Sequence, residues 1–193
     1  IIYYIYSFIY KIFIYNYVYM NIEINDILSY IKTACIEISE LYREINNIDL
    51  STKSNNNNKS GDDVKRLDII SNDIIMKHLN KCKNIKAFSS EEEETVIYTS
   101  NMNGEYFVSF DPLDGSQNIE VNLATGSIFG IFKYRYNTIL SGKNLVASCY
   151  SIYGPATQLV IGYKNVSLYS LINNKFELIK DNIKISEKQK IYS

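Results

Sequence analysis

Apolar residues are spaced differently in the first and second parts of the chain, and this predicts an early helix followed by strands. From Met20 the apolar side chains recur at steps of three and four residues, at Ile24, Ile27, Leu28, Ile31, Cys35, Ile38, Leu41, Tyr42 and Ile45. This period predicts an amphipathic helix over 24–45 with one face against a core. The polar, asparagine-rich run over 46–60 predicts a loop.

Short apolar runs after residue 60 predict a dense series of further elements. A strand is expected over 64–70, and the polar residues 71–73 would cap a helix over 74–79. Further strands are expected over 85–88, 106–110, 127–133, 145–153, 158–163, 167–172 and 175–179. Helices early and strands late predict an α+β fold, a layered α/β arrangement of one mixed sheet flanked by helices.

The first 19 residues form an apolar, tyrosine-rich segment interrupted by Lys11, and we treat them apart from a domain over 20–193. A membrane span needs about 20 mainly apolar residues, but tyrosine prefers the membrane interface to the bilayer centre. Three interpretations stay open. The segment is sequence translated upstream of a true start at Met20, a membrane anchor or targeting segment, or a structural extension.

Composition narrows the classes of partner. The 193 residues are 46% hydrophobic with a net charge of −1, so electrostatics favour neither nucleic acid nor an anionic membrane as a partner. Cys35, Cys82 and Cys149 are far apart, which predicts free thiols in a reducing, cytoplasmic compartment. The only histidine, His78, is expected on a helix surface, so a Cys/His zinc site is not expected.

Residues 110–116 combine groups that suit a cation and an anion. Asp111 and Asp114 are three residues apart across Pro112, directly after an apolar strand. Their carboxylates and the intervening Leu113 carbonyl are the oxygen ligands that hard cations such as Mg²⁺ prefer. The following glycine and serine have backbone N–H groups that could hold an anion beside the cation.

Other carboxylates are expected to gather near this pair. Glu91 and Glu92 follow the strand predicted over 85–88, whereas Asp62 precedes the one predicted over 64–70 and Asp68 lies near its end. Carboxylates at the ends of neighbouring strands meet at one edge of a sheet, where layered α/β proteins bind their ligands. The next two residues, 93 and 94, are expected to be a solvated acidic run.

At this point the sequence resembles a known family. Residues 110–132 (FDPLDGSQNIEVNLATGSIFGIF) resemble the fructose-1,6-bisphosphatase signature. The wider resemblance runs over 20–193 in family order, through 61–62, 65–68, 71–73, 90–92, 142–147, 153–155 and 190–193. Sedoheptulose bisphosphatases share the DPLDGS core, but 118–122 are more similar to the fructose enzymes.

The resemblance implies roles for ten residues. The implied metal ligands are Glu91, Glu92, Asp111, Asp114 and the carbonyl of Leu113. The implied catalytic carboxylates are Glu92 and Asp68, which would activate the attacking water, and Asp62, which would help a loop to close the site. The implied substrate contacts are Asp114, Gly115, Ser116 and Gln117. The implied cofactor is two or more Mg²⁺ ions, with Mn²⁺ or Zn²⁺ as alternatives.

The resemblance also implies an activity. It is the Mg²⁺-dependent hydrolysis of the 1-phosphate of fructose 1,6-bisphosphate to fructose 6-phosphate and phosphate, in gluconeogenesis. The alternatives are a catalytically inactive remnant and a related sugar or inositol phosphatase. The chain would be the N-terminal domain of a homotetrameric enzyme, ending at Ser193 before the half that holds the 6-phosphate.

Some positions depart from the family pattern. Gln117 replaces a second serine, Glu120 an aspartate and Ser127 a threonine. At the family's AMP site, Glu105 replaces a lysine and Lys143 an arginine. Because a glutamate facing a phosphate would repel it, we expect weak or absent inhibition by AMP.

Overall fold

The structure, a computed structural model, describes residues 2–43, 59–134 and 141–184. Side chains before Met20, over 59–65 and at Glu120 lie outside this description. Two helices come first, α1 (Ile2–Arg43) and α2 (Lys59–Leu79). The strands that follow are β1 (Ile85–Ser90), β2 (Ile97–Tyr98), β3 (Tyr106–Asp114), β4 (Thr125–Lys133), β5 (Leu145–Tyr153), β6 (Gln158–Tyr163), β7 (Asn165–Ile172) and β8 (Lys175–Lys180). Short 3-10 helices span Ser116–Val121 and Gly142–Asn144.

All eight strands form one mixed sheet in the order β2-β1-β3-β4-β5-β6-β7-β8. Strands β1 and β3 pair in parallel, and the other neighbouring strands pair antiparallel. The expected α+β fold with a mixed sheet is therefore confirmed. The single parallel pair matters for the site, because it brings the carboxyl ends of β1 and β3 to the same edge.

The helices pack on one face of the sheet and form the core with it. From α1, Ile24, Ile27, Ile31 and Ile38 are fully buried, as the three- and four-residue spacing predicts. They join a cluster with buried strand residues such as Phe129. Because successive strand residues point to opposite faces, the other face carries Ile128, Tyr150 and Ile152, whose exposed fractions are 46%, 43% and 39%.

The strand predicted over 64–70 is wrong, since these residues lie inside α2. Leu67, Ser71, Ile75 and Leu79 are buried, and their four-residue spacing is helical. The predicted cap at 71–73 is also wrong, because those residues are in the middle of this helix. The apolar run over 64–70 is too short to distinguish a strand from a helix by itself. Together with the apolar positions over 74–79 it has the period of one helix.

The later elements agree better with the sequence. Strands β5 and β6 have the predicted bounds, whereas β3 and β4 extend further toward the 110–116 motif and the two-residue β2 was missed. The three cysteines are free, as predicted, and buried. The prediction for His78 is wrong, because it is buried against α1, where its Nε2 lies 2.7 Å from Glu37 Oε2.

The first helix is longer than predicted. It begins at Ile2, so it includes most of the segment that we set apart, and it ends at Arg43. Within the described residues, no helix has a stretch long and apolar enough to cross a membrane. The loop predicted over 46–60 lies outside the described residues except for its last two positions, which begin α2.

Candidate active site

The parallel pairing of β1 and β3 builds the first wall of the site. Ser90, the last residue of β1, lies beside Phe110, and the Glu91 amide continues the pairing by donating a 3.0 Å hydrogen bond to the Phe110 carbonyl. Glu91 and Glu92 therefore leave β1 beside Asp111. The sequence expectation that carboxylates meet at one sheet edge is confirmed for these two strands.

A bulge in β3 forms the second wall. Asp111 pairs with Ile128 and Asp114 with Gly126, so Pro112 and Leu113 together face one residue of β4. The Leu113 amide donates a 3.0 Å hydrogen bond to Asp111 Oδ1. Bulges of this kind bend a strand and redirect its side chains, and they are frequent beside active sites.

Helix α2 supplies the third wall through Asp68. Burial raises the pKa of Asp68, and the charges of Glu92 and Glu91 raise it further, against a hydrogen bond from Ser116 that lowers it. These interactions place Asp68 next to both glutamates and to Ser116. Asp68 thus reaches the predicted site, although from a helix and not from the end of a strand.

The three walls enclose one cavity of about 340 Å³. It is lined by Asp68, Glu91, Glu92, Asp111, Leu113, Asp114, Gly115, Ser116, Gln117 and Asn118. All the predicted site residues except Asp62 are in this group. Asp62 lies in α2, but its side chain is outside the described residues.

The carboxylates of the cavity repel each other. The pKa of Asp111 is raised to about 6, mainly by burial, with the nearby charges of Glu91 and Asp114 adding to the rise and the hydrogen bond from the Leu113 amide opposing it. A carboxylate whose pKa is raised by other carboxylates is stabilised by any cation that enters the group. Among the described residues, the cavity lining thus combines five carboxylates with no Lys or Arg side chain.

These residues fit a hard divalent cation. The donors are all oxygen atoms, from carboxylates and potentially from the Leu113 carbonyl, which is the ligand set of such ions. Among the described side chains, no three Asp, Glu, His or Cys residues converge closely enough to form a closed ligand cage. The arrangement is an acidic cavity with ligands on three walls, not a preformed cage.

Gly115 makes the turn from β3 into the 3-10 helix. Its φ of 73° is in the left-handed region, and a Cβ there would lie 3.1 Å from Asn118 Nδ2. The Gly115 carbonyl accepts a 2.8 Å hydrogen bond from the Asn118 amide, and the Asn118 side chain donates to the Ala124 carbonyl at 3.1 Å. Glycine is therefore required for the backbone to turn back along the cavity.

One prediction next to the site differs from the structure. Glu93 is half-buried and accepts a 3.0 Å hydrogen bond from Asn72 Nδ2, so it connects α2 to the end of β1, whereas Glu94 is exposed as expected. Sequence analysis also missed Ser127 and Tyr153, which lie behind the bulge. The departure of Ser127 from the family pattern was the available signal.

A larger cavity of about 860 Å³ lies elsewhere, at the end of α1 beside Tyr42 and Arg43. Its described lining contains no carboxylate. Size alone would favour this cavity as the active site. The smaller cavity is the better candidate, because it contains interacting carboxylates whose pKa values are raised.

Fold and cavity together define a layered α/β protein with an acidic, oxygen-lined cavity at one edge of its sheet. Comparison with known proteins identifies the family. The family profile described as "Fructose-1-6-bisphosphatase, N-terminal domain" matches residues 15–180. The chain therefore belongs to the fructose-1,6-bisphosphatase family, whose members are metal-dependent phosphoric monoester hydrolases.

Individual relatives agree. The class 1 fructose-1,6-bisphosphatase of Campylobacter jejuni (strain RM1221) is 41% identical over 167 residues, which cover 86% of this chain and 56% of the relative. Fructose-1,6-bisphosphatase 1 of Bos taurus is 36% identical over 182 residues, 89% of this chain and 54% of the relative.

A solved structure agrees as well. The crystal structure of Leishmania major fructose-1,6-bisphosphatase in holo form matches with a TM-score of 0.73 and 30% identity, over 86% of this chain and 53% of that one. The chain thus spans about half the length of the relatives it matches.

Proposed function

We propose that this chain carries the cation-binding and phosphate-binding part of an enzyme that hydrolyses the 1-phosphate of fructose 1,6-bisphosphate with Mg²⁺. The observation that supports this most is the single cavity shared by five carboxylates and the Gly115 turn. Carboxylates that repel each other suit divalent cations, and a neighbouring turn with exposed backbone N–H groups suits the phosphate.

Each wall of the cavity has a part in the proposed reaction. Glu91, Glu92, Asp111, Asp114 and the Leu113 carbonyl would hold two or more Mg²⁺ ions. When bound, these ions would polarise the phosphoryl group and lower the pKa of the attacking water. Mn²⁺ and Zn²⁺ are alternative occupants of the same oxygen ligands.

Proton transfer falls to Glu92 and Asp68. Both line the cavity, and the raised pKa of Asp68 brings it closer to the range in which a carboxylate is an effective base at neutral pH. Gly115, Ser116 and Gln117 would hold the phosphate from the opposite side. Asp62, near the start of α2, would help to close the site.

The proposal also covers the substrate, the oligomeric state and the cellular compartment of the enzyme. The substrate is a sugar bisphosphate, and contacts to its second phosphate would come from the part of the relatives that this chain does not match. A cytoplasmic homotetramer and a domain boundary at Met20 complete the proposal.

A chimaera tests the proposed activity. The 193-residue chain would be joined to the part of the Campylobacter jejuni relative that it does not match, and phosphate release would be followed with Mg²⁺ and with EDTA. We expect Mg²⁺-dependent hydrolysis of fructose 1,6-bisphosphate that is far faster than hydrolysis of inositol phosphate. Equal rates on the two substrates would favour a related phosphatase, and no metal-dependent release would favour an inactive remnant.

The base assignment has its own test in the same chimaera. Glu92→Gln should reduce kcat by about 100-fold or more, since general base catalysis contributes that much, without loss of folding. Glu94→Gln removes a neighbouring exposed carboxylate and serves as the matched control. An unchanged kcat in Glu92→Gln would show that another group accepts the proton.

A further inference from the structure

The bulge in β3 places a buried carbonyl, that of Pro112, against a side-chain hydroxyl of β4. Asp111 and Asp114 pair with Ile128 and Gly126, so the residues between them face Ser127 alone. The Pro112 carbonyl is satisfied from the side, by a 2.7 Å hydrogen bond that the Ser127 hydroxyl donates. A buried carbonyl left unpaired is costly, so this side-chain bond maintains the shape of the bulge.

The direction of the next hydrogen bond follows from counting protons. Ser127 Oγ lies 2.8 Å from the Tyr153 hydroxyl, and either atom could donate to the other. A serine hydroxyl has one proton, and that of Ser127 is already directed to the Pro112 carbonyl. Tyr153 must therefore donate to Ser127, and the two hydroxyls form a chain in one direction that ends at the Pro112 carbonyl.

The outer end of this chain is fixed in place. Tyr153 is 3% exposed and Ser127 is fully buried, so neither hydroxyl competes with bulk water. The Tyr153 ring stacks on Tyr42 of α1 with centroids 5.3 Å apart. Tyr42 in turn accepts a 2.6 Å hydrogen bond from Thr125, which is two residues before Ser127 on β4.

We propose that Ser127 and Tyr153 are positioning residues for the cation site. The Pro112 carbonyl that they hold shares one peptide plane with the Leu113 N–H, and that N–H donates a 3.0 Å hydrogen bond to Asp111 Oδ1. Loss of the Ser127 hydroxyl would free this peptide plane to rotate, and the Leu113 N–H that orients the Asp111 carboxylate would move with it. The inference rests on the proposed function, because it concerns the same cations.

Outer-shell hydrogen bonds of this kind are measurable through metal affinity. Loss of a group that orients a ligand typically weakens metal binding by about 10- to 100-fold. A purely structural role would instead lower thermal stability and leave metal affinity unchanged. Metal affinity and stability, measured on the same variants, therefore distinguish the two roles.

The test measures Mn²⁺ binding to the 193-residue chain by electron paramagnetic resonance, with Mg²⁺ as competitor, beside a thermal unfolding curve. Ser127→Ala removes the hydroxyl, Ser127→Thr keeps it, and Tyr153→Phe keeps the stacked ring but removes the outer donor. Ser39→Ala is the control, because it deletes another buried hydroxyl, 2.6 Å from that of Thr157, that does not touch the bulge.

We expect Ser127→Ala to weaken Mn²⁺ binding by about 10-fold or more, and Tyr153→Phe to weaken it less. Ser127→Thr and Ser39→Ala should bind as the unaltered chain does. Equal affinity in the unaltered chain, Ser127→Ala and Tyr153→Phe would overturn the inference but leave the cation site standing. No Mn²⁺ binding by the unaltered chain would overturn the cation site, and the inference with it.

If Ser127→Ala does not fold, the affinity of Tyr153→Phe for Mn²⁺ distinguishes a positioning role from a purely structural one. This variant retains the aromatic packing on Tyr42, so a loss of affinity at an unchanged unfolding temperature supports positioning. An unchanged affinity overturns it.

Discussion

His78 Nε2 of α2 lies 2.7 Å from Glu37 Oε2 of α1, and Lys77 Nζ lies 2.9 Å from the other carboxylate oxygen. Burial by itself would raise the pKa of Glu37, but the hydrogen bonds to His78 and Lys77 and their charges outweigh it and hold the pKa below its ordinary value. The two helices that cover the sheet are therefore connected by a contact that depends on pH.

Glu37→Gln should destabilise the chain at neutral pH. Because the folded-state pKa of Glu37 is lowered, its contribution is present above the ordinary pKa and is lost as pH falls through the folded value. The pair is partly exposed, so we expect a loss of about 0.5 kcal/mol, measured by urea unfolding at pH 7. The difference should shrink as pH falls below the ordinary pKa of 4.5, and Glu94→Gln should show none. Equal stability at pH 7 would contradict the prediction.

Asp111→Asn should stabilise the metal-free chain. The folded-state pKa of about 6 is above the ordinary value of 3.8, so ionised Asp111 opposes folding at pH 7, and this cost disappears as pH falls from about 6 to about 4. Such a shift corresponds to at most about 3 kcal/mol, and solvent screening of this partly exposed group reduces it to about 1 kcal/mol.

Unfolding in EDTA measures this effect across pH 4–8. Asparagine keeps the oxygen that accepts from the Leu113 amide, and Asp73→Asn, an exposed position on α2, is the control. Added Mg²⁺ should stabilise the unaltered chain more than the variant. A variant that is less stable in EDTA at pH 7 would show that repulsion is not the dominant effect at this residue.

Gly115→Ala should distort the turn beside the cavity. The left-handed φ of 73° costs a residue with a Cβ about 1–2 kcal/mol, and the new atom would press on Asn118. Gly142→Ala is a matched control, since a Cβ there meets nothing within 4 Å. We expect thermal unfolding to show a loss of stability in the first variant and not in the second. Equal unfolding temperatures would mean that the turn adapts.

AMP should bind weakly. Glu105, at the position where the family has a lysine, forms an ion pair with Lys133, whose ammonium also lies 4.0 Å from Glu23 and 4.5 Å from the centre of the Tyr106 ring. Both carboxylates would repel a nucleotide phosphate. Calorimetric titration of the chain with AMP should show no binding at micromolar concentration, and Glu105→Lys tests whether the charge is responsible. Micromolar binding to the unaltered chain would refute this.

Sequence patterns predicted the site better than they predicted the element that carries part of it. The carboxylates that follow β1 and those in β3 could be placed because the end of an apolar run marks the end of a strand. Parallel pairing then brings the two strand ends together. The assignment of 64–70 failed because an apolar run this short fits either period, and only burial of Leu67 with Ile75 against the core settles it. Asp68 was still assigned to the cavity correctly, because that assignment also followed from the family resemblance.

The hydrogen bonds that hold the bulge between the proposed ligands could not be predicted from the sequence. Ser127 and Tyr153 are far apart along the chain from Pro112, and their contact depends on the bulge register of β3 against β4. No local pattern specifies where a bulge falls. The change from the family's threonine at 127 indicated only that the position was unusual.

Every described residue that lines the acidic cavity comes from one stretch of the chain, from Asp68 to Asn118. Contacts that are close along the chain cost little loop-closure entropy and tend to form early in folding. We therefore expect the repelling carboxylates to meet while β6, β7 and β8 are still joining the sheet. Divalent cations would then act on the speed of folding as well as on the finished site, and stopped-flow refolding with and without Mg²⁺ would reveal it.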